Sequence, residues 1–479
     1  MLAYLTAVRF ALYPTPAQAV TLRQWIGCQR VIYNAKVAED KYFNAFRRKS
    51  LSLAGQWAPL DQQYSQFKSD LTPWLSQVPS QILRNGAVRW MGAKKRQLAG
   101  LARAPATRRA HGRQSVLVTG ELFSFPDATA GSASSDRILS LGTPGFPVGA
   151  LRFIAHRPFS VPKQLTISTE AGRWFLSFSF EQESDEILRS PGELAYELNN
   201  LTDEELTLVV KAYDRGVVNR LMDSDGTLYP VDPVVEERIK KKEKRDRKYQ
   251  KRMARQQKGS SNRNKTKSKL AKLQNYRARR AQDWAHKATF KMVTSCTKVH
   301  VLEALQIRNM TKRAKAKQVN GKWVKNGRAA KSGLNKAILG SCWGRVGVFL
   351  HYKAARRNQL VLTVPPQYSS QECSECKHTH PDNRPDQATF LCQRCGHAEH
   401  ADTNASHVLK KRGIEALRAG IVIKPKKSVA IKKKGKKTGA GCSEESVERL
   451  DKTPEELAPP VHVARKQKDS GSDAGSPFL

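Results

Sequence analysis

The sequence predicts an α+β protein of several domains, and three observations carry that expectation. Apolar residues alternate at period two in short stretches, most clearly in Leu165-Thr-Ile-Ser and Trp174-Phe-Leu-Ser-Phe-Ser-Phe on either side of a Glu170-Ala-Gly-Arg turn. That pattern reads as a β-hairpin. Elsewhere they recur at helical spacing, as in Val20, Leu22, Trp25, Ile26, Val31, Ile32 and Val37 between Ala17 and Arg48. Finally, Cys373-Ser-Glu-Cys376 and Cys392-Gln-Arg-Cys395 stand fifteen residues apart. Two such pairs can gather four thiolates around one tetrahedral zinc, each pair supplied by a tight turn. At 479 residues the chain has room for several cores.

The elements follow in order. Tyr4 to Leu12 alternates through Val8, Phe10 and Leu12 and is ended by Tyr13-Pro14. Thr15 then suits a helix N-cap and Pro16 a first helical position. Further helices are expected over Gln56–Lys68 and Ser80–Gly100, whereas residues 101 to 148, rich in Gly, Pro, Ser, Arg and Ala, read as loop with short strands. The acidic segment Gln182–Glu205 reads as a linker. After it, Leu206 to Asp214 is expected to be a buried strand ending in a carboxylate, and Arg215 to Met222 a second strand. Asp223-Ser-Asp225-Gly226 has the chemistry of a tight turn. Two basic helices, about Val234–Gln257 and Lys265–Thr294, form a charged hairpin. Lys298 to Glu303 is another strand ending in an acid, residues 307 to 333 a basic loop, Leu334–Arg356 a helix, and Leu360 to Val364 a strand. Asp402 opens the last helix, to about Arg418. Ile421–Leu479 carries too little apolar content to fold alone and is expected to be mostly disordered.

Charge narrows the partners. A net +42 and a pI near 10.2 imply strong self-repulsion unless a polyanion neutralises it, which points to nucleic acid and to steeply salt-dependent binding. No apolar run of roughly 18 residues is present, so a membrane partner is not expected. No signal-peptide core is read at the N-terminus, and Cys28, Cys296, Cys342 and Cys442 form no disulfide framework. A cytosolic protein with reduced cysteines is expected.

Three carboxylates stand at comparable places: Asp214 and Glu303 at strand ends, and Asp402 at a helix start. Ligands collect beyond the strand ends of an open sheet. Acids converging there would repel one another unless divalent cations, Mg²⁺ or Mn²⁺ by ligand hardness, lay between them. Two such ions cleave phosphodiesters. Each acid also has a plain reading, Asp214 as a turn residue and Asp402 as an N-cap. Asp223 and Asp225 are rival acids whose Asp-Gly setting favours a turn. His286, His400 and His407 are expected to serve packing or surface roles, since four cysteines complete a zinc site.

These residues, in order, resemble the TnpB proteins of bacterial insertion sequences and their compact descendants, the small type V CRISPR effectors. The carrying motifs are Asp214 in Asp-Arg-Gly-Val, Glu303 in Val-Leu-Glu-Ala-Leu with Arg308-Asn-Met-Thr after it, Tyr368-Ser-Ser-Gln-Glu-Cys373, Phe390-Leu-Cys392, and Ala401-Asp402-Thr-Asn-Ala. Phe10-Ala-Leu-Tyr-Pro-Thr-Pro and Arg30-Val-Ile-Tyr-Asn are similar to the family's N-terminal start, so the resemblance covers nearly all of residues 1–418. Tyr213 and Arg215 depart from the usual small or aliphatic neighbours of the first acid, and Lys377 and His397 flank the cysteines where other residues are frequent.

The resemblance implies an RNA-guided DNA endonuclease. Its N-terminal half would be an oligonucleotide-binding β-barrel with an inserted helical recognition lobe. Its C-terminal half would be a RuvC-like (RNase H-type) nuclease domain with a zinc-ribbon insertion. The implied boundaries are 1–14 and 111–185 for the barrel, 15–110 for the lobe, and 186–205 for the linker. The nuclease domain would span 206–365 and 401–420, the ribbon 366–400, and a basic tail 421–479. Asp214, Glu303 and Asp402 would be catalytic and hold Mg²⁺ or Mn²⁺; Cys373, Cys376, Cys392 and Cys395 would hold a structural Zn²⁺. Guide RNA and double-stranded target DNA, opened into an R-loop beside a short flanking motif, would be the partners. Monomer or homodimer is left open, as is the choice between TnpB and a compact effector. Two other readings stand beside this one: an RNA-guided binder that represses or regulates transposition without cutting, and a zinc-ribbon DNA-binding factor that uses no RNA.

Overall fold

Thr15 sets the first junction of the chain. Its hydroxyl accepts from the Gln18 N–H at 3.3 Å while the Gln18 amide oxygen accepts from the Thr15 N–H at 2.9 Å, a reciprocal cap. It separates strand β1 (Leu2–Tyr13) from helix α1 (Pro16–Phe46). The structure, a computed structural model, describes residues 2–46, 59–110, 112, 114–126, 136–184, 187–324 and 326–420. The expectations for Cys442 and for the tail 421–479 lie outside those residues, as does the first part of the helix expected over Gln56–Lys68. The rest of that stretch is not α-helical: only 3₁₀ turns form, at Ser65–Phe67 and Pro73–Gln77. Pro59 and the Ser69–Thr72 turn interrupt any longer helix. α2 (Ser80–Leu98) follows and packs along α1, where Lys94 meets Asp40 at 2.7 Å in a buried pair. On α1, Leu22, Trp25, Ile32 and Val37 are buried as their spacing predicts, but Val20 faces solvent.

Residues 101 to 148 hold more strand than expected. β2 (Gln114–Thr119), β3 (Phe123–Ser124), β4 (Asp136–Thr143), β5 (Phe146–Ile154), β6 (Gln164–Glu170) and β7 (Arg173–Ser184) join β1 in one antiparallel sheet, ordered β2-β6-β7-β1-β5-β4-β3. Short alternations such as Val116/Val118 and Leu139/Leu141 are enough to bury one face. Gly142, at φ 111°, takes the register shift between β4 and β5; a Cβ there would lie 2.5 Å from the Phe146 carbonyl oxygen. The two edge strands, β2 and β3, are separated by only Gly120–Leu122, so the sheet must curl until its edges meet there. Inside the curl Phe10, Phe125, Phe153, Phe159 and Phe178 pack with ring centroids 5.2–6.1 Å apart.

Residues 186–205, read from sequence as a linker, carry two capped helices. In α3 (Pro191–Asn199) Ser190 and Glu193 form a capping box, and in α4 (Asp203–Val209) Thr202 and Glu205 do the same. The strand expected from Leu206 is therefore helical up to Val209; β8 (Val210–Asp214) is the strand proper. Leu198 and Leu206 enter the same core as Val210 and Ala212. The second strand expected over 215–222 shrinks to β9 (Met222–Asp223). The basic hairpin forms as expected, from α5 (Pro233–Arg255), capped by Asp232, and α6 (Ser261–Thr294), capped by Ser260. β10 (Val299–Glu303) follows, then α7 (Ile307–Met310) and a small hairpin of β11 (Lys317–Val319) and β12 (Lys322–Val324) within the expected basic loop. The single helix expected over Leu334–Arg356 is two, α8 (Arg328–Gly340) and α9 (Trp343–Ala355), broken where Cys342 adopts a left-handed φ of 60°. β13 (Leu360–Val364), β14 (Thr389–Leu391), β15 (Ala398–His400) and α10 (Ala401–Arg418) complete the chain.

The second large sheet has the order β13-β10-β8-β9, with β10 parallel to both neighbours and β9 antiparallel. Period-two alternation splits its residues between two faces. Val210, Ala212, Val299, Val301 and Leu362 pack towards α10, while Tyr213 and Leu302 pack with Trp284, Met292 and Leu350 of α6 and α9. α10 approaches closely at Gly413, where a Cβ would lie 2.4 Å from Val301 Cγ2. Gly413→Ala is expected to force α10 off the sheet and cost about 1–3 kcal/mol, as overpacking does. Urea unfolding of the purified pair of proteins checks this; an unchanged midpoint would contradict the close packing.

Candidate functional site

Two turns of the same design build the cysteine cluster. Cys373 N–H donates to the His378 carbonyl and Cys392 N–H to the His397 carbonyl, both at 2.9 Å. Lys377 N–H and Gly396 N–H return to the carbonyls of Cys373 and Cys392, both at 3.0 Å, from residues of positive φ, 59° and 73°. The loops bring Cys373 and Cys395 sulfurs to 3.6 Å and Cys376 and Cys392 sulfurs to 3.5 Å. All four ligand atoms lie within 4.8 Å of one another. Zn–S bonds of about 2.3 Å in a tetrahedron put sulfurs about 3.8 Å apart, so the donor set fits zinc by number, type and spacing. Among the described residues this is the one such group of three or more metal-ligating side chains.

The histidines serve elsewhere. His400 caps α10, its Nδ1 accepting the Asp402 N–H at 3.2 Å; His407 Nε2 lies 2.7 Å from the Ser224 carbonyl oxygen; His286 stacks on Phe349 at 3.8 Å. Asp402 is thus not the N-cap that one reading of the sequence made it. Asp223 is buried in its turn, accepting from the N–H groups of Asp225 and Thr227 and from the Tyr229 hydroxyl. Asp225 pairs with Lys211. Both rival acids are occupied by local structure.

The other three acids converge. Leu302 lies opposite Tyr213 in the parallel β8/β10 register, so Asp214 and Glu303, one residue further on, end neighbouring strands side by side. Alternation turns both towards α10, in the same sense as Ala212 and Val301. At the start of α10 sits Asp402, and one turn later the Ser406 hydroxyl accepts the Asp214 N–H at 3.3 Å and donates to the Asp402 carbonyl at 2.9 Å. Asn219 donates to Asp402 Oδ2 at 2.9 Å, and Arg384 reaches Oδ1 at 3.4 Å. Ser369 donates to Glu303 Oε1 at 3.4 Å.

Burial, then the charges of Glu303 and Asp402, push the Asp214 carboxyl up to about 7. Burial also raises Glu303, against the nearby Arg215 guanidinium. Arg215, a departure noted in the sequence, is buried and donates to the Glu303 main-chain oxygen. Tyr213, the other departure, lies on the opposite face, 3.0 Å from His300 Nδ1. Gln359 fixes the tautomer: its Nε2 donates to the Val293 carbonyl, so its Oε1 accepts from His300 Nε2 and the Tyr213 hydroxyl donates to Nδ1. Three hard oxygen donors with mutual repulsion fit divalent Mg²⁺ or Mn²⁺, while Arg384 and Arg215 offset part of their charge.

Arg384 was not among the residues picked from the sequence. It lies between the two cysteine pairs and ties the ribbon to the third acid. Asn219 was missed as well; nothing in its sequence setting marks it.

A four-cysteine ribbon fastened beside strand-end acids, on a mixed sheet flanked by helices, defines a mixed α/β fold. Three family models match in that order. One described as "Cas12f1-like, TNB domain" covers residues 343–409, one described as "Probable transposase" (OrfB_IS605) covers 194–314, and a helix-turn-helix model of the same OrfB_IS605 series covers 1–42. In the structure those last residues form one strand and one continuous helix. The chain is 28% identical over 426 residues to the "Putative RNA-guided DNA endonuclease InsQ" of Escherichia coli (strain K12), covering 88% of this chain and 95% of that protein. It is 25% identical over 437 residues to the "Putative RNA-guided DNA endonuclease" of Streptomyces pristinaespiralis, covering 88% and 92%. Over 55 residues, 12% of this chain and 13% of the relative, it is 46% identical to the "CRISPR-associated endodeoxyribonuclease Cas12f1" of Sulfoacidibacillus thermotolerans. Among solved structures, a Cas12f1–sgRNA–target DNA complex is similar at a TM-score of 0.48 and 12% identity, over 85% of this chain and 99% of that one. These matches, to the OrfB_IS605 series, to a Cas12f1-like domain and to proteins named RNA-guided DNA endonucleases, agree with the resemblance its motifs carry.

Proposed function

We propose that this protein is an RNA-guided DNA endonuclease that cuts beside a short flanking motif by divalent-metal-dependent hydrolysis in a RuvC-like, RNase H-type domain. The observation that carries the reading is the convergence of Asp214, Glu303 and Asp402 at one end of the parallel sheet. The names of the full-length relatives support the substrate and the guide. The domain assignment is part of the proposal: an oligonucleotide-binding curled sheet with a helical lobe at the N-terminus, and a split nuclease domain interrupted by the ribbon.

Asp214, Glu303 and Asp402 would hold Mg²⁺ or Mn²⁺, which when bound supplies an activated water and a counter-charge for the leaving oxygen. The chain's own residues prepare that site. Asn219 and Arg384 hold the two oxygens of Asp402 in one orientation, and Ser369 does the same for Glu303. Ser406 locks the end of β8 to α10, so the two elements that carry acids move together. The four cysteines would hold zinc and keep Arg384 in reach of Asp402. The excess of Lys and Arg along α5 and α6 supplies phosphate contacts for guide and target. No helix among the described residues is long and apolar enough to cross a membrane.

The test is to co-express the protein with its RNA, purify the complex, and offer matching DNA with Mg²⁺. Cleavage is expected, and Glu303→Gln should lose it while retaining guide-dependent DNA binding. Equal cleavage by Glu303→Gln would remove that acid from the centre.

A further inference from the structure

Just past β8 the chain makes a short, pinned turn that serves two of the three acids. Gly216 lies so close to Asn219 that a Cβ would collide with the Asn219 carbonyl oxygen. The Trp343 indole N–H fixes the same turn by donating to the Gly216 carbonyl at 3.1 Å. Its far end delivers Asn219 to Asp402. Its near end is Arg215, whose guanidinium reaches the neighbouring strand and donates to the Glu303 main-chain oxygen.

Arg215 is a buried cation, with 8% of its surface exposed. Arg384 reaches the Asp402 carboxylate at 3.4 Å, whereas Arg215 forms no ion pair among the described residues, and its Nε has no hydrogen-bond partner there. A guanidinium keeps its charge in a protein, and a buried charge left uncompensated costs stability. What compensates this one is the field of the site. Burial works against the Arg215 charge, while the charges of Glu303 and Asp214 favour it. Arg215 in turn works against the rise that burial imposes on the Glu303 carboxyl. Shielded from solvent and tied to a main-chain oxygen, the guanidinium acts through the acids and touches no substrate. A divalent ion set between the same acids meets that charge as a repulsion. For a unit charge and a divalent ion a few ångströms apart, at an effective dielectric constant of about 20, this exceeds about tenfold in affinity.

We propose that Arg215 is a built-in counter-cation of the three-acid centre: it steadies the acids while no metal is bound and lowers their affinity for divalent ions. The inference rests on the reading of Asp214, Glu303 and Asp402 as metal ligands, and it adds a positioning residue that sets how much metal the centre requires. Its role is one of charge, so lysine should replace it and a neutral donor should not.

The experiment titrates Mn²⁺ into the full chain with its co-purifying RNA and no DNA, and reads the free ion by electron paramagnetic resonance. Glu303→Gln, carrying the same RNA, gives the ions held elsewhere. Arg215→Gln keeps a donor for the Glu303 carbonyl and drops the charge; Arg215→Lys keeps both. Arg215→Gln is expected to bind Mn²⁺ more than about tenfold more tightly than wild type, and Arg215→Lys to stay near the wild-type value. In EDTA, Arg215→Gln should also unfold at a lower temperature than wild type and gain more from added Mn²⁺. If Arg215→Gln is unfolded in EDTA, recovery of its folded state with Mn²⁺ supports the proposal, and no recovery overturns it. Unchanged or weaker Mn²⁺ binding by Arg215→Gln overturns it as well. Equal tightening by Arg215→Lys does the same, because it would trace the effect to shape. Mn²⁺ binding by Glu303→Gln equal to that of wild type would instead overturn the metal reading of the acids.

Discussion

Asp214→Asn is expected to abolish cleavage and, in metal-free solution above neutral pH, to make the protein more stable. Burial and the charges of Glu303 and Asp402 raise this carboxyl to about 7, against about 3.9 in an unfolded chain. A raised folded-state value means that the native protein binds the proton more tightly than the unfolded chain does. The associated stability is present below pH ~4 and lost as pH rises to about 7. A shift of that size corresponds to at most about 4 kcal/mol, and on the order of 2 kcal/mol after relaxation and water penetration. Asn keeps the shape without the charge, so the penalty disappears; with it goes a proposed metal ligand, at a cost in rate of more than about 100-fold. Denaturant midpoints at pH 5 and pH 8, with EDTA and with Mg²⁺, check the stability half of this. The wild type should weaken between those pH values in EDTA and recover with Mg²⁺, while the variant, left with Glu303 as the raised carboxyl, should respond less to both. A variant weaker than wild type at pH 8 in EDTA would mean that the carboxylates do not strain the native state.

Cys392→Ser is expected to release the zinc and to cost the site its third acid. The ribbon's own core is small: Cys373, Phe390, Cys392 and Ala401, with Cys376 beside them. So little apolar area cannot hold a loop of this length, and zinc on the four cysteines, worth about 10–16 kcal/mol in finger peptides, would supply the difference. Several polar contacts fasten the ribbon to α10, three of them at the start of the helix. Ser374 N–H donates to Asn404 Oδ1 at 3.0 Å, Asn404 Nδ2 donates to the Glu372 carbonyl at 2.8 Å, and Arg384 reaches Asp402. Losing the metal frees Arg384 and the start of α10 together. Elemental analysis should find one zinc per wild-type chain and none in Cys392→Ser, with cleavage falling by more than about tenfold. RNA binding should persist, since the curled N-terminal sheet has a separate core. Full cleavage by a zinc-free variant would show that the ribbon does not organise the site.

The fold was legible where local chemistry is strong. The Thr15 cap, the hairpin around Ala171-Gly172, the two basic helices and the strands ending at Asp214 and Glu303 all follow from capping, turn and period signals. It was less legible where tertiary contact decides. β2, β4 and the start of β5 lie in the stretch read as loop with short strands because only two or three apolar residues alternate in each, and the partners of β2 and β5, β6 and β1, lie far along the chain. At the break Gly340 ends α8, but the left-handed residue is Cys342, which nothing in the sequence marks. The helices over 191–209 could have been read from Ser190-Pro-Gly-Glu and Thr202-Asp-Glu-Glu, but their acidic composition suggested a linker. For the site, residue type and order pointed to the four cysteines and the three acids. Arg384 and Asn219 were invisible because their role is purely spatial: each comes from an irregular segment and meets Asp402 only in three dimensions.

The central claim, that RNA bound by this chain directs metal-dependent cutting, has one direct measurement. The complex is assembled with its RNA, the target-pairing segment is replaced by an unrelated sequence, and both DNA targets are offered in Mg²⁺ with the flanking motif kept. The account predicts that the cut follows the replaced segment to the new DNA and leaves the old one intact, and that EDTA stops both. Cutting that ignores the swap, or guide-dependent retention of DNA with no cut strand in Mg²⁺ or Mn²⁺, would contradict it.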